Sequence, residues 1–269
     1  MGTPQLDVVK PEAEQRAQLV SDETAARSSM TQFVVDAAAR CVGGRPEVLA
    51  RAINLFIADR LRKQANRDAI ARLAVQQLQH NPPREPPANE PDDDWLGVFE
   101  QYAEHASSQR LRETWASVLV GEIRKPGAFA LRTLQFIATM DRTLANDVKA
   151  VAGCLFDGAF LPLLGPFAGE QLGLVLRLTQ AGFFLFGTGR RYALPEEGNL
   201  GVRIGKGLVA EFAGKIPDQT LNVHGANVTF LGKEVLSVIS AEDDLPTAET
   251  LARAVAERYG LSVTMHCDL

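Results

Sequence analysis

The sequence predicts an α+β fold, mainly α, and three observations carry that expectation. Apolar residues recur at spacings of three and four through most of residues 29–165. After Pro166 the chain breaks into short apolar runs separated by Gly, Pro, Asn and Asp, the pattern of strands and turns. Between two helical regions lies "HNPPREPPANEPDDD", His80 to Asp94, with five prolines and no large apolar residue. The expected organisation is a flexible tail over 1–28, a helical arm over 29–80 and a Pro-rich linker over 81–94. A domain of central antiparallel helices over 95–165 and a mixed α/β, winged-helix-like region over 166–269 complete it.

Each element has a local reason. Residues 1–28 are polar and poor in aromatics, so they bury little. A short helix is expected over 29–42 and ends at Gly43-Gly44. The next runs from Pro46 to Gln79 without an internal Gly or Pro. Its stripe is Leu49, Ile53, Phe56, Ile57, Leu61, Ala65, Ala69 and Leu73. Asp92-Asp93-Asp94 suits the positive end of a helix that carries Trp95, Phe99 and Tyr102. Ser107 or Ser108 caps the next, whose apolar face is Leu111, Trp115, Val118, Leu119 and Ile123. Pro126-Gly127 ends it, because proline breaks the hydrogen-bond ladder and glycine tolerates positive φ. Helices follow over 128–139, after Asp141, and over 167–180. "FFLFG", "RRYAL", "LGVRIG", "LVAEFAG" and "TLNVHG" read as strands. "VTFLGKEVLSVI" and "PTAETLARAVAERYG" return to helix, and "LSVTMHC" closes the chain as a strand.

Composition narrows the function classes. The formal charge of −5 gives no global attraction to nucleic acid or anionic lipid. Cys41, Cys154 and Cys267 form no CxxC, which suits reduced thiols and a cytoplasmic location. The opening "MGTPQLDVVKPEAEQ" has no signal-peptide pattern. The apolar stretch from Phe156 to Phe186 is interrupted by charges and is expected to be core.

No catalytic, cofactor-binding or metal-ligating residue is assigned. "GTGRRY" lacks the third glycine of a dinucleotide loop. The four histidines have no ligand spacing, and no GxSxG elbow exists. Arg60, Lys63 and Arg67 make a basic row on the long helix, next to Ile53, Phe56 and Leu61. These six are the candidate interaction residues, for self-association or a partner protein. Trp95, Trp115, Glu122, Pro126, Gly127 and Arg132 are the candidate structural motif. Glu122 and Arg132 flank the Pro-Gly turn and are expected to hold a helical hairpin.

The stretches "RKQANRDAIARLA", "DDDWLGVFEQYAEHASSQRLRETWASVLVGEIRKPGAFALRTL" and "NVTFLGKEVL" carry a resemblance. They resemble an uncharacterised bacterial family, the domain of unknown function numbered 2806. The matching positions are Gln64, Asn66, Asp94, Trp95, Leu96, Trp115, Gly121, Glu122, Pro126, Gly127, Leu131, Arg132, Thr133, Leu134, Gly232 and Glu234. Ala130 departs from the family's serine and removes the hydroxyl that would cap the following helix. The resemblance implies relationship and no reaction, and its members resemble proteins of mobile and phage-defence neighbourhoods. The expected function is a non-enzymatic interaction or scaffold protein, set in anti-phage defence. The alternatives are a nucleic-acid-associated regulator using the winged-helix-like region and an enzyme with an unrecognised site.

Overall fold

The computed structural model describes residues 46–83, 89–239 and 244–267, with backbone alone for 46–50 and Pro217. The tail, the helix expected over 29–42 and Cys41 lie outside the described residues. What is described is an α+β fold, mainly helical, with eight α-helices and six strands. Two compact units divide between Ala65 and Asn66.

The first unit, within the described residues, is the start of α1 (Pro46–His80). Leu55, Phe56 and Leu61 stand exposed on it, and Ile53 is half-buried. Its charges pair along the helix: Asp59 takes Arg62 at 2.6 Å and Lys63 at 3.3 Å, and Arg60 lies over the Phe56 ring. Such exposed pairs add little stability. The Arg62 hydrogen bond, above all, holds the Asp59 carboxyl below its usual range.

The second unit opens with the remainder of α1. Asn66, Ile70 and Ala74, at i, i+4 and i+8, are its buried positions. The Pro-rich segment therefore connects two parts of one unit, and the boundary expected at 81–94 falls inside that unit. Helix α2 (Asp93–Ala103) starts at Asp92, whose Oδ1 accepts from Trp95 N at 3.0 Å. Helix α3 (Gln109–Arg124) starts at Ser108, whose hydroxyl accepts from Leu111 N. Trp95 stacks on Phe99, and Phe99 meets Trp115 edge-on at 5.5 Å. Tyr102 stacks on Trp115 with ring centroids 6.4 Å apart, and Trp115 is fully buried.

Helix α4 (Leu131–Thr139) packs against α2, and α5 (Arg142–Ala152) is capped by Asp141. Helix α6 (Leu172–Gln180) is shorter than expected, because a 3₁₀ turn over Gly165–Ala168 precedes it. It locks onto α5 by a bidentate contact in which Arg177 donates to buried Asp147 at 2.7 and 2.8 Å. That hydrogen bond holds the Arg177 guanidinium above its usual range.

The C-terminal part forms two antiparallel three-stranded sheets. The first has the order β1 (Phe160–Pro162), β5 (Thr220–Val228), β2 (Phe184–Ala193). The second has β3 (Leu200–Ile204), β4 (Leu208–Ala213), β6 (Ser262–Cys267). The runs "FFLFG" and "RRYAL" are one strand, β2, with a bulge between Phe186 and Thr188 where Gly187 takes φ +74°. The segment at β1 was expected only as core. Gly225 of β5 lies so close to it that a Cβ would fall 2.2 Å from Leu161 O. Helix α7 (Phe230–Val238) follows β5, and α8 (Leu245–Tyr259) is capped by Asp244 and closed by Gly260 at φ +66°. The helix–strand–helix order behind the winged-helix expectation is thus built into two separate sheets.

Trp115→Ala is expected to destabilise the second unit by about 3–5 kcal/mol, through lost burial and the cavity left beside Phe99 and Tyr102. Urea unfolding followed by far-UV circular dichroism checks it; an unchanged midpoint would contradict this packing.

Candidate functional site

The residues that carry the sequence motif come together around the turn after α3. Lys125, Pro126, Gly127 and Ala128 form a β-turn closed by Ala128 N donating to Lys125 O at 3.0 Å. Gly127 has φ +81°, and proline before it gives the pattern of a type II turn. Glu122, 1% exposed, bends under this turn. One carboxylate oxygen accepts from Gly127 N at 2.5 Å and the other from Phe129 N at 3.1 Å. A buried carboxylate is costly unless hydrogen-bonded, and two backbone donors meet that requirement.

Trp95 reaches the same loop from α2, and its indole Nε1 donates to Phe129 O at 2.8 Å. The Phe129 ring then packs on α3 at Gly121, where a Cβ would lie 2.5 Å from its Cε2. Glycine is needed at 121 for this close approach.

Helix α4 begins without a side-chain cap at Ala130, as the missing hydroxyl suggests. The vacancy is met from elsewhere in the fold. Glu234 of α7 accepts from Ala130 N at 2.9 Å and from the Thr133 hydroxyl at 2.5 Å. A carboxylate there also complements the positive end of α4. Gly232 lets α7 approach closely, since a Cβ would fall 2.7 Å from Phe183 O.

Asn66 makes the remaining long-range link. Its amide donates to Glu104 O at 2.8 Å, and its carbonyl accepts from Arg112 at 2.9 Å. Arg67 beside it pairs with Glu104 at 2.6 Å.

Of the motif residues singled out in the sequence, Trp95, Glu122, Pro126 and Gly127 therefore share one site, and Trp115 lies in the core behind it. Arg132 is exposed and stands near the Gly182 turn, whereas both Glu122 oxygens are taken by backbone N–H groups. The expected Glu122–Arg132 link does not form. Nor does α4 lie back along α3; it packs on α2 and α7. The row of Ile53, Phe56, Arg60, Leu61, Lys63 and Arg67 is divided between the two units. Arg67 and Lys63 are engaged by Glu104 and Asp59.

Above the turn opens a cleft of about 500 Å³. Trp95, Pro126, Phe129 and Leu131 give it apolar walls, and Glu90, Asp92, Asp94, Glu122 and Glu234 are its ionisable residues. Among the described residues no Lys, Arg or His lines it. Among the described residues no group of three or more His, Cys, Asp or Glu is placed to hold a metal. Sequence reasoning gave Glu234 only as a motif position and Phe230 only as a departure from the threonine of the family it resembles; Phe230 is 86% exposed one helical turn before Glu234. Helical spacing alone links those two; the place of Glu234 beside Ala130 comes from the fold.

The fold and site define a mainly helical α+β protein with a braced turn between α3 and α4. Residues 50–155 match the model of the family described as "Protein of unknown function (DUF2806)". Gly232 and Glu234 lie outside the matched residues. No curated protein and no solved structure matches the chain.

Two substitutions separate the roles of this site. Glu122→Gln keeps the shape but sets an amide NH₂ against one of two backbone donors, so a loss of about 1–3 kcal/mol is expected. Gly121→Ala drives a methyl into the buried Phe129 ring and is expected to cost about 1–3 kcal/mol. Chemical denaturation of both variants checks this, and wild-type stability in either would show that the loop does not depend on that contact.

Proposed function

We propose that this protein is a non-enzymatic interaction or scaffold protein. The observation that carries this is how the motif's polar groups are used. Glu122, Glu234, Asp92 and the Trp95 indole all bond backbone or hydroxyl groups of their own fold. A general acid or base needs an open site facing substrate, and a nucleophile needs a base beside it. These groups are instead committed to holding a shape, which supports binding over turnover.

Two surfaces suit such a role. One is the cleft over the Pro126-Gly127 turn. The other is the row of Leu55, Phe56 and Leu61 on α1, large apolar side chains left exposed. Self-association or a partner protein on that row fits the uncovered area. The neighbourhoods implied by the family resemblance make a defence complex the setting we propose. No helix among the described residues is long and apolar enough to cross a membrane.

The nucleic-acid reading has less support. Helix α6, the candidate recognition helix, carries Arg177 alone, and its guanidinium is held by Asp147. Few phosphate contacts remain for it to make.

Native purification followed by mass spectrometry and light scattering tests the proposal. The expected result is a co-purifying protein or an assembly of this chain. Phe56→Glu with Leu61→Glu is expected to disperse an assembly formed through α1 into folded monomers. A monomer at tens of micromolar that retains no protein, and instead carries a small molecule it converts, would overturn the proposal.

A further inference from the structure

We infer that the cleft over the Pro126-Gly127 turn holds an extended segment of a partner protein that presents a Lys or Arg beside an apolar side chain. This rests on the reading of the chain as an interaction protein and names the chemistry of what it binds.

Shape comes first. The walls are apolar, from Trp95, Pro126, Phe129 and Leu131, and the space between them is about 500 Å³. Two large apolar side chains stand in solvent beside Glu234. Leu131 follows Ala130, whose N–H bonds Glu234, and is 49% exposed. Phe230, one turn before Glu234 on α7, is 86% exposed. A large aromatic so uncovered, one helical turn from a residue that lines an apolar cleft, is the kind of anchor that interfaces bury.

Charge then selects the occupant. Among the described residues the ionisable groups of the lining are all carboxylates. Glu122 and Glu234 are bonded within the fold, while Glu90 and Asp94 are exposed and form no ion pair among the described residues. Lys233 stands outside the lining, 5.8 Å from the Phe230 ring centre, and shows that this ring face accepts a cation. Phosphate-bearing partners are disfavoured by the carboxylates, and a bare polyamine would leave the apolar walls uncovered. A basic residue flanked by an apolar one meets both demands.

The floor is also already formed. Glu122, Trp95 and Glu234 hold the 126–133 segment through hydrogen bonds within the fold, so binding need not order it.

The test uses the full chain and three fluorescein-labelled synthetic peptides, read by anisotropy. One alternates Arg and Leu, one has Glu in place of Arg, and one has Ser in place of Leu. The Arg/Leu peptide is expected to bind best. Phe230→Ser, and separately Glu90→Gln with Asp94→Asn, are expected to weaken it by about tenfold with unchanged melting temperature. Glu196→Gln with Glu197→Gln removes the same charge from an exposed loop elsewhere and is expected to leave binding unmoved.

Equal weakening by that remote pair would reduce the effect to net charge and overturn the inference. So would preference for the Glu or Ser peptide, or no binding at all. A dimer that Phe230→Ser disperses would place a second copy in the cleft and overturn it as well. A partner protein still retained in native purification by the cleft variants would overturn the cleft while leaving the interaction reading standing.

Discussion

The carboxylate of Glu122 is the constraint on which this architecture turns. It is buried, and it is satisfied by the backbone N–H groups of Gly127 and Phe129. Those two bonds fix the loop between α3 and α4. The loop in turn presents Phe129 O to the Trp95 indole and its ring to Gly121. Helices α2 and α3 and the start of α4 are therefore set by one side chain and its immediate contacts. Without it, the Gly127 and Phe129 N–H groups would lose their acceptor, and the carbonyl that orients Trp95 would no longer be held.

A second carboxylate extends the same device over a long stretch of chain. Glu234, on a helix that follows the last strand of the first sheet, does the work of the missing cap at Ala130. Local and distant segments are thereby tied, and α4 becomes a bridge between the helical part and the sheets. The Asp147–Arg177 pair joins α5 to α6 in a similar way. A half-buried ion pair of this kind need not add net stability, but it specifies which surfaces meet. The Tyr192 hydroxyl, by contrast, is buried without a hydrogen-bond partner, and burial pushes its ionisation well above the usual range. The structure gives no account of that group.

These braces also bear on function. Polar residues that look chemical in sequence are used here to hold backbone, which leaves a preformed cleft with apolar walls and an acidic lining. The described lining is distinguished by apolar walls and carboxylates, the features on which the proposed recognition rests.

Much of the fold was legible in sequence because it follows from local chemistry. Helical periodicity, the caps at Asp92, Ser108, Asp141 and Asp244, and glycine at 260 are decided within a few residues of where they act. The Pro126-Gly127 turn was legible for the same reason. What only the tertiary structure decided depends on contacts far apart in the chain. The C-terminal part of α1 joins the main unit through Asn66, Ile70 and Ala74, although the expected apolar stripe passed through Ala65, Ala69 and Leu73. Glu122 takes backbone partners in place of Arg132, because a buried carboxylate is best met by fixed N–H donors nearby. The second sheet, the pairing of β1 with β5 and the capping of α4 by Glu234 all join segments whose meeting no local pattern encodes. Sequence determined the elements and the ends of most of them; packing decided which faces met, and thereby where the cleft lies.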